Sequence, residues 1–168
     1  MQSETNPVKP LDTLAKIIAT ALGAGYSKVA PGTCGTLVAV PLAWALAARP
    51  DWQFALVTVV ITLIGIAAAS RADIAWGSHD DQRIVIDEVA GYLVTVAPVV
   101  RSWPALLVGF VLFRFFDIVK PPPVRWLDEN LPGGLGVVLD DVAAGVMGAI
   151  VMVLLQHFGA FRAMADLL

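Results

Sequence analysis

At 168 residues the chain has the length of one domain, and with 58% hydrophobic against 15% charged residues and a mean hydropathy of +0.77 it is too apolar for a disordered or acidic-tail protein. Eleven basic and fourteen acidic side chains leave a formal charge of −3 and a pI near 5.2, which excludes the basic field needed to hold a nucleic acid. The single Cys34 can form no intramolecular disulfide, and Glu4, Pro7 and Pro10 stand where an export signal would carry a basic region and an apolar core, so no cleaved signal is expected.

In chain order, residues 1–12 read as a flexible arm, 13–160 as one domain and 161–168 as a tail. Runs without a charged side chain organise the domain: 29–48, 52–70, 89–100, 102–113 and 142–161. Crossing a hydrocarbon core of about 30 Å takes about 20 apolar residues, with about 17 as the lower limit. The run 52–70 meets that requirement and 142–158 just does, whereas 29–48 is interrupted by Pro31, Gly32, Gly35 and Pro41. The runs on either side of Arg101 and Pro104 fit a hairpin of two short helices better than one long span. Gly65, Ala67, Ala68 and Ala69, and likewise Gly145, Gly148 and Ala149, allow helices to approach closely. The one β-branched alternation, Arg83–Ile86, runs straight into Asp87-Glu88. The expected fold is therefore all-α, a multihelical single domain integrated in a membrane.

Charge placement orients that fold. Crossings at 37–48, 54–70 and 142–158, with a dip in and out over 89–113, put Lys9, Lys16, Lys28, Arg71, Arg83, Arg114, Lys120 and Arg125 on one face. Only Arg49, Arg101 and Arg162 remain for the other, so the first face is expected to be cytoplasmic. A soluble domain with buried helices is the alternative.

The same face collects the reactive groups. The turn from Gly23 to Thr36 is rich in glycine and hydroxyls; it either cradles a phosphate or simply turns, with Thr33 or Thr36 as a helix N-cap. His79-Asp80-Asp81 precedes Asp87-Glu88 at the entry of an apolar run. Arg114, Asp117 and Lys120 recur every third residue and share one helical face before Pro121–Pro123 stop the helix. Gly133-Gly134-Leu135-Gly136 reads as a mobile turn leading to Asp140-Asp141, with Asp140 as a candidate N-cap. Two acidic pairs and Asp117 on one face would repel one another without a counter-charge. Hard oxygen ligands next to basic residues suit Mg²⁺ bridging carboxylates to a substrate phosphate; Mn²⁺ would accept the same ligands. Cys34 has no Arg six residues on, and neither Asp-x-Asp-x-Thr nor Gly-x-Ser-x-Gly occurs, which leaves metal-assisted attack by water.

The segments APGTCGTL at 30–37, HDDQRIVIDEVAG at 79–91 and FRFFDIVKPPPVRWLDENLPGGLGVVLDDVAAG at 113–145 resemble the phosphatidylglycerophosphatase A family, over about residues 13–160. The resemblance implies an all-α fold and Mg²⁺-dependent removal of the terminal phosphate of phosphatidylglycerophosphate at the bacterial inner membrane. Asp87, Glu88, Asp117, Asp140 and Asp141 match the family's acidic positions, and Arg114 and Lys120 its basic ones. Lys28 departs from the pattern, following Ser27 where the family commonly has a proline, and is a candidate head-group contact. The expected roles are Mg²⁺ on a subset of the five acids and phosphate on Arg114 and Lys120, with Lys28, Thr33 and Thr36 of the Gly-rich turn. A remaining carboxylate or His79 would serve as base. The rivals are a related phosphohydrolase acting on another ester and a membrane carrier, which would bury its acids mid-span rather than at span ends.

Overall fold

The computed structural model describes residues 10–78 and 81–165, and among these it is all-helical. The helices are α1 (Pro10–Ala19), α2 (Pro31–Ala45), α3 (Asp51–Trp76), α4 (Ile86–Val96), α5 (Trp103–Val119), α6 (Val124–Asn130), α7 (Gly133–His157) and α8 (Ala160–Ala165), with a single 3-10 turn at Ala24–Tyr26. The alternation at Arg83–Ile86 makes no strand: Ile84 and Val85 are buried connectors, and the Val85 N–H donates to the Ala19 carbonyl at 2.8 Å.

α4 is apolar nearly all round and lies at the centre, with Val89, Ala90, Tyr92, Leu93 and Val96 buried. It packs against α7, where the Thr95 hydroxyl donates to the Gly91 carbonyl at 3.0 Å and reaches the Gly145 carbonyl at 3.3 Å. α4 and α5 form the expected hairpin, closed by the buried Tyr92 hydroxyl donating to the Leu106 carbonyl.

Several boundaries differ from the sequence reading. α2 starts at Pro31 behind Ala30, which has a left-handed φ of 46°, so Thr33 and Thr36 lie inside the helix and are not its caps. α7 starts at Gly133, about two turns before Asp140, so Asp140 is no N-cap and the Gly-Gly-Leu-Gly segment is helical rather than a mobile turn. Close packing explains those glycines: a Cβ on Gly134 would strike Ser70 and the Ile66 carbonyl, and one on Gly136 the Leu131 carbonyl. Pro10–Asp12, read as arm, form the first turn of α1, where Asp12 pairs with Arg71 at 2.7 Å. Within 161–168, read as tail, Phe161 is buried in α8.

The bundle has two distinct ends. At one, Arg101 donates to Asp51 at 2.8 Å and to the Arg49 carbonyl, and the Val100 N–H donates to Gln156. At the other, Arg83 pairs with Asp81, Lys16 donates to the Ala75 carbonyl, and Lys120 pairs with Asp140. α3 and α7 are the two described helices long and apolar enough to cross a membrane, yet only 28% and 39% of their most apolar stretches are buried. Leu56, Val59 and Leu63 on α3 and Val146, Ile150 and Val153 on α7 face outward. Core helices of a water-soluble domain hide such residues.

Candidate active site

Four helix ends and one helix interior build a single cleft of about 380 Å³. Asp87 and Glu88 come from the first turn of α4, where carboxylates favour the positive end of the helix. α5 supplies Arg114 and Asp117 from one face, and Lys120 follows as its left-handed cap at φ 45°. α7 contributes Asp140 and Asp141 from its third turn, and α6 contributes Asp128. Pro31 and Gly32 at the start of α2 complete the wall, with Asp81 and Gln82.

The acids converge. Carboxylate oxygens of Asp87, Glu88 and Asp141 all lie within 4.8 Å of one another. Asp87 Oδ1, Glu88 Oε2, Asp140 Oδ1 and Asp141 Oδ2 are buried and receive no hydrogen bond. Burial pushes the Asp87 carboxyl well above the usual carboxylate range, and the neighbouring Glu88 charge pushes the same way. Burial also raises Glu88, against a smaller lowering by its contact with Asp87.

Both bases are held by acids. Arg114 Nη1 lies 2.6 Å from Asp117 Oδ2 and 3.7 Å from Glu88 Oε1. Lys120 Nζ lies 2.8 Å from Asp128 and 2.8 Å from Asp140. Burial works against the Lys120 ammonium, but these two carboxylates outweigh it and hold its pKa above the ordinary value. Asp81 stands apart, because hydrogen bonds from Arg83 keep its carboxyl well below the usual range and commit it to a structural pair.

With Asp81 neutralised by Arg83, six further carboxylates face two bases around the cleft, an excess of four negative charges when all are ionised. A phosphate enters such a site only if cations or protons offset that charge. Buried, unpaired carboxylate oxygens at close range are the donor set a hard divalent cation such as Mg²⁺ uses, so the residues present fit that ion.

Of the residues expected from sequence, Asp87, Glu88, Asp117, Asp140, Asp141, Arg114 and Lys120 line the cleft together. Lys28, Thr33 and Thr36 do not line it: Lys28 is exposed, Thr33 is half-buried, and the buried Thr36 hydroxyl donates to the Gly32 carbonyl one turn back. His79 lies outside the described residues. Two residues are new. Asp128 carried no signal beyond being an acid in a polar segment, and it joins the site because the chain reverses after the prolines. Gly32 stood in the glycine-rich turn, but its role is close approach: a Cβ there would run into Glu88 Oε1 and meet Arg114 Nη1 at 3.0 Å.

A helical bundle that gathers acids and two bases in one cleft at its end has the groups that a phosphate-handling enzyme uses. The family model described as phosphatidylglycerophosphatase A matches residues 17–156, and the chain belongs to that family. It is 36% identical to a phosphatidylglycerophosphatase A of Escherichia coli (strain K12) over 143 residues, covering 84% of this chain and 83% of the relative. It is also 36% identical to a phosphatidylglycerophosphatase A of Haemophilus influenzae over 160 residues, 93% of this chain and 98% of the relative. A Bacteroides thetaiotaomicron protein provisionally named a phosphatidylinositol-3-phosphatase is 40% identical over 147 residues, 83% of this chain and 91% of the relative. No solved structure matches the chain. The protein is accordingly a phosphatase, and its relatives support a lipid as the substrate class.

Proposed function

We propose that the protein hydrolyses phosphatidylglycerophosphate to phosphatidylglycerol and phosphate with Mg²⁺ as its cofactor. The observation that carries the reading is the convergence of the buried Asp87, Glu88 and Asp141 carboxylate oxygens beside Arg114 and Lys120. Asp87, Glu88 and Asp141 are the residues that would hold the ion, with Asp117 and Asp140 within the same cleft. When bound, Mg²⁺ supplies Lewis-acid polarisation of the phosphoryl group and offsets its charge.

The chain's own groups do the rest. Arg114 offers planar donors to phosphate oxygens, and Asp117 fixes the guanidinium that makes the contact. Lys120 adds a point charge steadied by Asp128 and Asp140. A carboxylate not engaged with the ion takes a proton from the attacking water, a role to which a raised pKa is suited. The water oxygen bonds to phosphorus, the bond from phosphorus to the glycerol oxygen breaks, and that oxygen takes up the proton the carboxylate had accepted and leaves as the alcohol of the lipid product. His79 is retained as a second candidate base.

The outward apolar faces of α3 and α7 support a multi-pass protein of the bacterial inner membrane, with acyl chains in the bilayer and the phosphate at the bundle end. Arg71, Arg83, Arg114, Lys120 and Arg125 belong to the helix ends and loops on the cleft side, whereas Arg49 and Arg101 lie at the opposite end. That asymmetry favours a cytoplasmic cleft. Acids gathered at a bundle end, rather than strung through it, favour an enzyme over a carrier. The name of the Bacteroides relative makes another lipid phosphomonoester the second reading.

Purified in detergent, the protein is expected to release phosphate from phosphatidylglycerophosphate with Mg²⁺, to stop with excess chelator and to resume on Mg²⁺ addition. Release only from a phosphoinositide or a soluble ester would overturn the substrate. Release unaffected by chelator would overturn the cofactor.

A further inference from the structure

α1 is amphipathic in the wrong sense for a helix that packs on a soluble core. Its two charged residues turn inward: Asp12 pairs with Arg71 at 2.7 Å, and Lys16 donates to the Ala75 carbonyl at 3.1 Å. Its apolar residues Leu11, Leu14 and Ile17, spaced three apart on one face, are 68%, 54% and 45% exposed. The stripe does not end with the helix. Ala21, Leu22 and Gly23 follow with left-handed φ of 45°, 60° and 100°, and this backbone turns Leu22 outward to 82% exposure. Neither backbone preference nor burial favours a bulky apolar residue held that way in water. Ile17, Leu22 and Tyr26 also line a shallow groove of about 330 Å³ beside the helix.

The contacts of α1 set its depth. α3 has 26 residues, about 39 Å at 1.5 Å per residue. About 20 of them cross the hydrocarbon core, so the turns around Arg71–Trp76 project into the headgroup layer. α1 is fastened along those turns, with Asp12 against Arg71 and Lys16 against Ala75, and Ile74 beside it is 73% exposed. The apolar stripe therefore faces outward at the level where headgroups meet acyl chains. Lys28, exposed at the same end, suits an anionic leaflet.

We propose that α1 is a membrane-interface anchor whose Leu11, Leu14 and Ile17, extended by Leu22, insert into the headgroup–acyl boundary of the leaflet on the cleft side. This rests on the membrane reading above and adds a bilayer contact to a segment that the spans leave out. It would hold the cleft wall at the height where a lipid phosphate sits, since the residue after α1, Thr20, leads through the 3-10 turn to Pro31 and Gly32 of the cleft.

The test is site-directed nitroxide labelling in vesicles of phosphatidylcholine and phosphatidylglycerol. Single cysteines are introduced by Leu14→Cys, Ile17→Cys and, as a mid-span reference, Leu63→Cys, each with Cys34→Ser. Relaxation by oxygen, which concentrates in the bilayer, is compared with relaxation by a water-soluble nickel chelate. All three labels are expected to favour oxygen, with positions 14 and 17 shallower than 63. If 63 favours oxygen but 14 and 17 favour nickel, α1 lies in water and the anchor is overturned while the membrane reading stands. If 14 and 17 are screened from both reagents, a second copy or another protein covers the stripe and the anchor is again overturned. If 63 favours nickel, the membrane reading itself fails and takes the anchor with it.

Discussion

Gly91 and Gly145 meet backbone to backbone where α4 crosses α7: a Cβ on Gly145 would collide with the Gly91 carbonyl oxygen, and one on Gly91 with the carbonyl of Asp141. Each glycine stands four residues after an acid, Asp87 and Asp141 respectively, which places acid and glycine on the same helical face. The close crossing therefore brings the two carboxylates into one site. Small residues between apolar helices act here on chemistry as well as on packing.

Gly145→Ala should accordingly damage both. Forcing a methyl against a carbonyl at a packed crossing costs about 1–3 kcal/mol, and relieving it moves Asp141 away from Asp87 and Glu88. The expected outcome is a lower Tm in detergent together with weaker Mg²⁺ dependence of phosphate release. A variant with lowered Tm but an unchanged Mg²⁺ titration would show that the crossing does not position the acids.

The raised pKa values of Asp87 and Glu88 give a sign to the pH dependence of the metal-free protein. Both are raised first by burial, and Asp87 further by the Glu88 charge. A carboxyl with a folded pKa above its unfolded one binds more protons when folded, so its contribution falls as pH rises from the unfolded to the folded value. With chelator present, lowering the pH from about 7 to about 5 should therefore raise Tm. Saturating Mg²⁺ should flatten that slope, because the cation then supplies the counter-charge that protons supplied. A metal-free Tm that falls steadily across this interval would mean the acids are already neutralised from within the protein.

Much of the site was legible because charge in an apolar chain is conspicuous. Asp87, Glu88, Asp140 and Asp141 stand at the edges of long charge-free runs, and Arg114, Asp117 and Lys120 carry a helical period. The helix starts were not legible where tertiary contact overrides local preference. Gly133-Gly134-Leu135-Gly136 has turn composition, yet it is helical because α3 and Leu131 press against its backbone. Thr33 and Thr36 have cap chemistry, but Ala30 takes the capping position and Pro31 opens the helix. Asp128 reaches Lys120 only through the chain reversal after Pro123, a contact with no local pattern.

Asp117→Asn tests whether the acid beside Arg114 belongs to the machinery. The substitution removes the charge that fixes Nη1 at 2.6 Å and removes one candidate ligand, while leaving a side chain of the same shape. Loss of a positioned electrostatic partner at a reacting group costs about 10²–10³ in kcat. Turnover should fall by roughly that factor, with membrane insertion and yield unchanged. Wild-type rates in this variant would remove Asp117 from the site.

Lys120 offers an internal comparison, since its two carboxylate partners sit at equal distance but unequal depth. Asp128 is 36% exposed and Asp140 only 5%, each 2.8 Å from the ammonium. A partly exposed pair is worth about 0.2–1 kcal/mol, so Asp128→Asn should change kcat/KM by no more than about fivefold. Asp140→Asn takes away a desolvated charge beside the candidate cation ligands, and a loss on the order of 10²–10³ is expected. Steady-state rates of both variants at saturating Mg²⁺ settle the ranking. Equal losses would mean that both carboxylates act only by holding Lys120. A larger loss for Asp128→Asn would place the ammonium's working partner on α6 and move the centre of the site toward it.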